Sequence, residues 1–122
     1  MRFTQDHTSS VNIIRSYELG ELRVNEDTFH TTVIVGASAI RTESGISGVT
    51  DLRDIHVEHV LALDPELVLL GTGVTQIFPP PAFGARFLKN GIGFEVMDTG
   101  AACRTFNVLV GEQRRVVALL LL

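Results

Sequence analysis

Tryptophan is absent from this chain, cysteine occurs once, and only 7% of the residues are aromatic. A lone cysteine closes no disulfide within the chain and builds no cysteine-based zinc site. The fold must therefore be held by packing, as is usual in a reducing compartment. Basic residues are also short: ten Lys and Arg stand against fourteen Asp and Glu, a formal net charge of −4. A nucleic-acid binder neutralises phosphates with surplus, clustered Lys and Arg. Here the basic residues are scattered, so neither RNA nor DNA is expected as a partner. The apolar run 116–122 falls well short of the roughly 20 residues of a membrane span and is expected to be buried in protein. The polar start Met1-Arg2-Phe3-Thr4-Gln5-Asp6-His7 lacks the apolar core of a signal peptide, and its acidic residue speaks against a transit peptide. A cytoplasmic location is the expectation.

What is present is aliphatic. Hydrophobic residues make up 45% of 122 positions, and mean hydropathy is +0.27, so Val, Leu and Ile must carry the core. A chain of this length buries about two-thirds of its unfolded surface and suits one domain. Residues 1–12 read as a loose arm. Short β-rich runs at 13–17, 21–24 and 31–35, separated by Gly20 and by Asn25-Glu26-Asp27, predict an antiparallel meander, with 38–41 as a fourth short strand. A polar loop follows to residue 50. From 51 onward the pattern lengthens to βαβαβ: a short helix over 54–62, a strand at 67–70, a helix after Pro79-Pro80-Pro81, a strand at 93–97, a helix from Asp98 or Thr99 to about 112, and a strand at 115–121. Leu67-Val68-Leu69-Leu70 is apolar at every position, which marks a strand buried on both faces. Phe83, Phe87 and Leu88 share one helix face, Lys89 sits in its last turn, and Gly91 supplies its cap. Right-handed crossovers bring the last three strands together in a mostly parallel sheet. The fold class is α/β, with an antiparallel first half and a parallel second half around one core.

Two loops leave the C-terminal ends of adjacent parallel strands, Gly71-Thr72-Gly73-Val74-Thr75-Gln76 and Asp98-Thr99-Gly100-Ala101-Ala102. That edge is where open α/β sheets bind ligands. Glycines let backbone N–H groups face outward, and a helix beginning at Thr99 presents the positive end of its dipole, so a small anion or metabolite suits the space between them. Thr72, Gln76, Asp98, Thr99, Arg104 and Asn107 are the candidate ligand-binding residues. The plainer reading, in which the glycines serve tight turns and the hydroxyls cap helix ends, competes with this one and is favoured.

Other constellations are incomplete. Gly71 and Gly73 lack a third glycine at position 76, so the dinucleotide fingerprint fails, and no P-loop is present. Val96-Met97-Asp98-Thr99-Gly100-Ala101 resembles the Asp-Thr-Gly motif of retroviral-type aspartic proteases, but the 22 residues after Gly100 read as helix then strand rather than the several strands such a half-site needs. His56 and His59 flank Glu58 at i, i+3 without a third ligand, and no metal is expected. Cys103, one turn into the last helix, is better explained as a small buried hydrophobe beside Phe106 and Val110 than as a nucleophile. Arg104, Thr105 and Asn107 are polar within an apolar helix and need partners. No catalytic residue and no cofactor are assigned.

Leu69-Leu70-Gly71-Thr72-Gly73, followed by the stretch from Gly91-Ile92-Gly93-Phe94-Glu95-Val96-Met97-Asp98-Thr99-Gly100 through Ala101-Ala102-Cys103-Arg104-Thr105-Phe106-Asn107-Val108-Leu109, closely resembles the Mth-like domain family. Glu112-Gln113-Arg114-Arg115-Val116-Val117-Ala118 is similar to the family's ending, in which Glu-Gly-Arg is common and Gln113 here replaces the glycine. The resemblance implies a three-layer α/β fold without an established enzymatic activity. For mitochondrial relatives it implies assembly of respiratory complex I through protein contacts.

Two functions follow. A non-catalytic interaction or assembly protein would have a protein partner and expose an apolar patch larger than roughly a few hundred Å². A small-molecule or anion-binding domain, an enzyme included, would open a pocket between the loops at 71–76 and 98–104, with Arg104 reaching into it. Short meanders also leave strand edges unpaired, through which a homo-oligomer can form.

Overall fold

The computed structural model describes residues 11–122. All but the end of the arm expected over 1–12 lies outside the described residues. Asn12 is not loose: it is buried, its N–H donates to Ala37 O and its Nδ2 donates to Gly36 O.

Eight strands and three helices follow in the order β1 (Ile14–Glu18), β2 (Glu21–Val24), β3 (Asp27–Phe29), β4 (Val33–Val35), β5 (Ile40–Thr42), α1 (Asp54–Leu61), β6 (Leu67–Thr72), α2 (Pro81–Lys89), β7 (Gly93–Met97), α3 (Thr99–Gly111) and β8 (Val116–Leu121). A single 3-10 turn at Val49–Asp51 precedes α1. The strands form a three-stranded antiparallel sheet, β1-β2-β3, and a five-stranded sheet in the order β5-β4-β8-β6-β7. In the larger sheet β6 pairs in parallel with both β7 and β8, while β4 runs antiparallel to β5 and to β8. It is thus mixed, with two pairs of each kind.

The meander differs from the sequence expectation. Its third strand is Asp27–Phe29, and the apolar run at 33–35 crosses into the five-stranded sheet to pair with β8. Burial explains the switch. Val33, Ile34 and Val35 are all fully buried, so this strand needs cover on both faces, which an outer meander strand lacks.

Period-two alternation sorts the core into two sides of the large sheet. Ile34, Val68, Leu70, Val117 and Leu119 pack against Val57 and Val60 of α1 and Phe83 and Phe87 of α2. Val33, Val35, Leu69, Val116, Ala118 and Leu120 pack against Ala102, Cys103, Phe106 and Val110 of α3 and against Ile14, Leu22 and Val24 of the small sheet. Three layers result. On the first side Gly84 lets α2 close down on β7: a Cβ there would lie 2.6 Å from the Phe94 ring, which stacks on Phe87 at 5.4 Å between centroids.

Candidate functional site

The loops that follow β6 and β7 do meet, as expected, but they bond to each other. The Thr99 N–H donates to Gly73 O at 2.9 Å, and the Gly73 N–H donates to Thr99 Oγ1 at 2.8 Å. Thr99 Oγ1 in turn donates to Leu121 O at 2.6 Å. Thr72 Oγ1 accepts from the Ile77 N–H and donates to Thr75 O, closing its own turn. Asp98 is the N-cap of α3, its Oδ1 accepting from the Ala101 N–H at 2.8 Å, as short acidic side chains do at helix starts. Gln76 Nε2 donates to Val96 O on β7. These bonds use the Gly73 and Thr99 N–H groups within the protein. A Cβ on Gly71 would lie 2.9 Å from Thr99 Cα, so that glycine serves the close contact of β6 with α3. The plainer reading of turns and caps describes Thr72, Gln76, Asp98 and Thr99.

Asn107 and Arg104 behave differently. The Asn107 amide makes a paired contact with the backbone of Ile14, Oδ1 accepting from its N–H at 3.0 Å and Nδ2 donating to its carbonyl at 2.9 Å. It fastens β1 to α3. Arg104 is exposed and lines a cleft of about 260 Å³ between β1 and α3, with Arg15, Ser16, Tyr17, Gly100 and Cys103. The Tyr17 hydroxyl is buried and without a hydrogen-bond partner among the described residues. Burial, then the neighbouring Cys103, hold its pKa above the usual tyrosine value, against the Thr99 hydroxyl. Burial pushes the Cys103 thiol up to about 12, with Arg104 opposing, so it remains a thiol and not a nucleophile. Sequence reasoning missed Tyr17. No local signal marks it: Ile14 and Tyr17, three residues apart in one strand, both face inward only because the pairing shifts between Ile14 and Ser16.

The two histidines both face the Glu43 carboxylate, His56 Nε2 at 3.9 Å and His59 Nδ1 at 2.9 Å. His56 Nδ1 accepts from the Arg53 N–H, His59 Nδ1 meets Glu43 Oε2 at 2.9 Å, and His59 Nε2 meets the Arg41 guanidinium. Their carboxylate partner is the buried Glu43 and not Glu58, which pairs with Arg86 across the α1–α2 contact. Among the described residues no group of three or more His, Cys, Asp or Glu is arranged to hold a metal ion.

Two further surfaces stand out. A cavity of about 540 Å³ opens at the opposite end of the parallel strands, between the β4–β5 turn at Gly36–Ala39 and the α3–β8 turn at Gln113–Arg115. Beside the open edge of β7, a groove of about 410 Å³ is walled by Phe78, Pro79, Pro80, Leu88, Phe94 and Val96. Phe78 is 71% exposed and Leu88 62%, with Ile77 close by at 49%. No described helix is long and apolar enough to cross a membrane.

Known proteins share this architecture. The chain is similar to a Bordetella parapertussis protein of known crystal structure, with a TM-score of 0.84 and 32% identity over 92% of this chain and 96% of that one. A Bordetella pertussis protein described as a Mth938-like domain superposes with a TM-score of 0.82 at 26% identity, over 99% of this chain and 92% of that one. Among curated relatives, a Francisella tularensis protein named 13 kDa major membrane protein is 25% identical over 99% of both chains. The NADH dehydrogenase (ubiquinone) 1 alpha subcomplex assembly factor 3 of Drosophila melanogaster is 29% identical over 117 residues, 89% of this chain. This chain spans 58% of that factor's length. Residues 14–121 match the family described as protein of unknown function (DUF498/DUF598), and the chain belongs to that family.

Proposed function

We propose that this chain acts as a non-catalytic interaction or assembly protein, and that a protein partner docks in the groove beside β7. The exposed apolar side chains there carry the reading. Phe78 and Leu88 stand largely in water at the rim of a groove whose walls are proline, phenylalanine and valine. Contiguous apolar surface of this kind gains free energy when covered, and aromatic anchors seated in such grooves dominate interface energetics. The assembly-factor name of the Drosophila relative agrees with it. A cytoplasmic location goes with the reading.

The test is affinity capture from native lysate by the wild-type chain and by a Phe78→Glu, Leu88→Glu variant. Both positions are exposed, so the fold should persist. A partner retained by the wild type and lost by the variant supports the reading; identical captures, or none from either, reject it. Fractionation of cells lysed without detergent checks location, since recovery in the membrane pellet contradicts a cytoplasmic protein.

A further inference from the structure

We propose that the cleft between β1 and α3 binds a small oxyanion, a phosphate or carboxylate group carried by a compact molecule. It lies across the five-stranded sheet from the apolar groove and is independent of it.

The first observation concerns arginines. Arg23, Arg41, Arg53, Arg86, Arg114 and Arg115 each meet a carboxylate or a backbone carbonyl. Arg15 and Arg104 make no hydrogen bond or ion pair with any described residue, and both line this one cleft. They approach it from different elements. Arg104 comes from α3, while Arg15 sits at an irregularity of β1, where Ile14 pairs with Val24 but Ser16 pairs with Arg23. Arg15 is therefore the extra residue of a bulge. Bulges re-aim side chains and gather beside functional sites. This one brings Ile14 and Tyr17 to the same inward side and leaves Arg15 on the lip.

The second observation is the Tyr17 hydroxyl, which is buried and makes no well-formed hydrogen bond with the described residues, although the Thr99 hydroxyl lies near it. A buried hydroxyl without a full partner destabilises the fold, and a bound acceptor would satisfy it. At the floor is Gly100, where a Cβ would lie 3.5 Å from Arg104 Nη1, 3.9 Å from Tyr17 Cδ2 and 3.4 Å from Asp98 Oδ1. The bare backbone thus leaves a gap where the guanidinium and the phenol ring come together.

Charge agrees. Asp98 is the acidic group that acts on both Tyr17 and Cys103, and its Oδ1 is already committed to the Ala101 N–H. Tyr17 and Cys103 stay protonated at neutral pH, so the lining is rich in donors and carries two guanidinium charges against one carboxylate. A guanidinium grips an oxyanion in two-pronged fashion, which a planar carboxylate or a phosphate face satisfies. At about 260 Å³ the cleft is smaller than the roughly 300 Å³ at which drug-sized pockets begin, so the carrier must be compact.

A heteronuclear NMR titration of the full chain with inorganic phosphate, and separately with succinate, tests this at fixed ionic strength with sodium chloride as the control salt. Saturable shifts of the Tyr17, Gly100, Cys103 and Arg104 amides are expected with at least one probe. Phosphate alone, or succinate alone, then identifies the group. Arg104→Gln and Arg15→Gln should each weaken binding about tenfold or more, and Tyr17→Phe should weaken it several-fold with the ring kept. Arg23→Gln should leave it unchanged. The proposal is overturned if neither probe saturates, if chloride reproduces the shifts, or if an Arg15→Gln, Arg104→Gln double variant with an otherwise native spectrum binds as before.

Discussion

Gly73 and Thr99 hold each other twice, the Thr99 N–H donating to Gly73 O and the Gly73 N–H donating to Thr99 Oγ1. Because the same Thr99 hydroxyl also donates to Leu121 O, one fully buried side chain joins the ends of β6, α3 and β8. Thr99→Val keeps the volume but leaves a part-buried N–H and a buried carbonyl without partners. It should lower unfolding free energy by roughly 2–4 kcal/mol in urea titration, whereas Thr99→Ser should cost under about 1.5 kcal/mol. A Val variant as stable as wild type would remove this junction from the account.

Gln113 follows the last turn of α3 with φ at +64°, in the left-handed region that side chains other than glycine enter at a cost. The family resemblance already pointed to glycine here, and the backbone explains why. Gln113→Gly should raise unfolding free energy by about 1 kcal/mol, part of it offset by the greater freedom of the unfolded chain. A lower denaturation midpoint would contradict the assignment of strain.

His56 is held below the usual histidine pKa of 6.5, chiefly by burial, with His59 and Arg53 adding to the effect and Glu43 opposing it. Its Nδ1 accepts from the Arg53 N–H, which only the neutral ring can do. The folded state therefore binds fewer protons than the unfolded one just below pH 6.5. The stability from the neutral ring is present above that value and is lost as pH falls through the lower folded pKa. Urea midpoints should decline from pH 7.5 toward pH 5. His56→Gln keeps an acceptor at this capping position and cannot titrate, so its decline should be shallower. An equal slope in both proteins would assign the effect to other groups.

Cys103 should resist thiol reagents. With its pKa raised to about 12, the thiolate fraction at pH 8 falls about a thousandfold below that of an unfolded cysteine. Absorbance-monitored labelling should be fast only in denaturant, and rapid labelling of the native protein would show the site to be more open than its packing indicates.

Much of the second half was legible because its signals are local. Pro81 opens α2, Asp98 caps α3, and unbroken apolar runs mark β6 and β8. The first half was read less well. Asp27-Thr28-Phe29 carries no apolar alternation, so nothing local marks it as a strand, and its place in the meander is set by pairing with β2. Val33-Ile34-Val35 does carry the mark of double burial, the same one read correctly at Leu67–Leu70, and that criterion would have moved it to the larger sheet. For the site, facing loops were foreseeable from topology. Their mutual bonding was not, since the partner of the Thr99 hydroxyl, Leu121, becomes its neighbour only once the sheet has assembled. Arg104 was expected beside Asp98 and Thr72, whereas the cleft it lines brings it together with Arg15 and Tyr17, and these depend on a bulge that composition does not announce.

The position of β8 between β4 and β6 sets the order in which this molecule can be made. Val33 pairs with Leu120 and Val35 with Ala118, so the β4–β5 hairpin is tied to β6 only through residues near the opposite end of the described chain. During synthesis both β4 and β6 wait with open edges until 116–121 emerge, a non-local closure of the kind that slows folding. Shortening the chain before residue 116 would separate the two halves of the sheet and leave β4 and β6 with aggregation-prone edges that β8 covers in the finished protein.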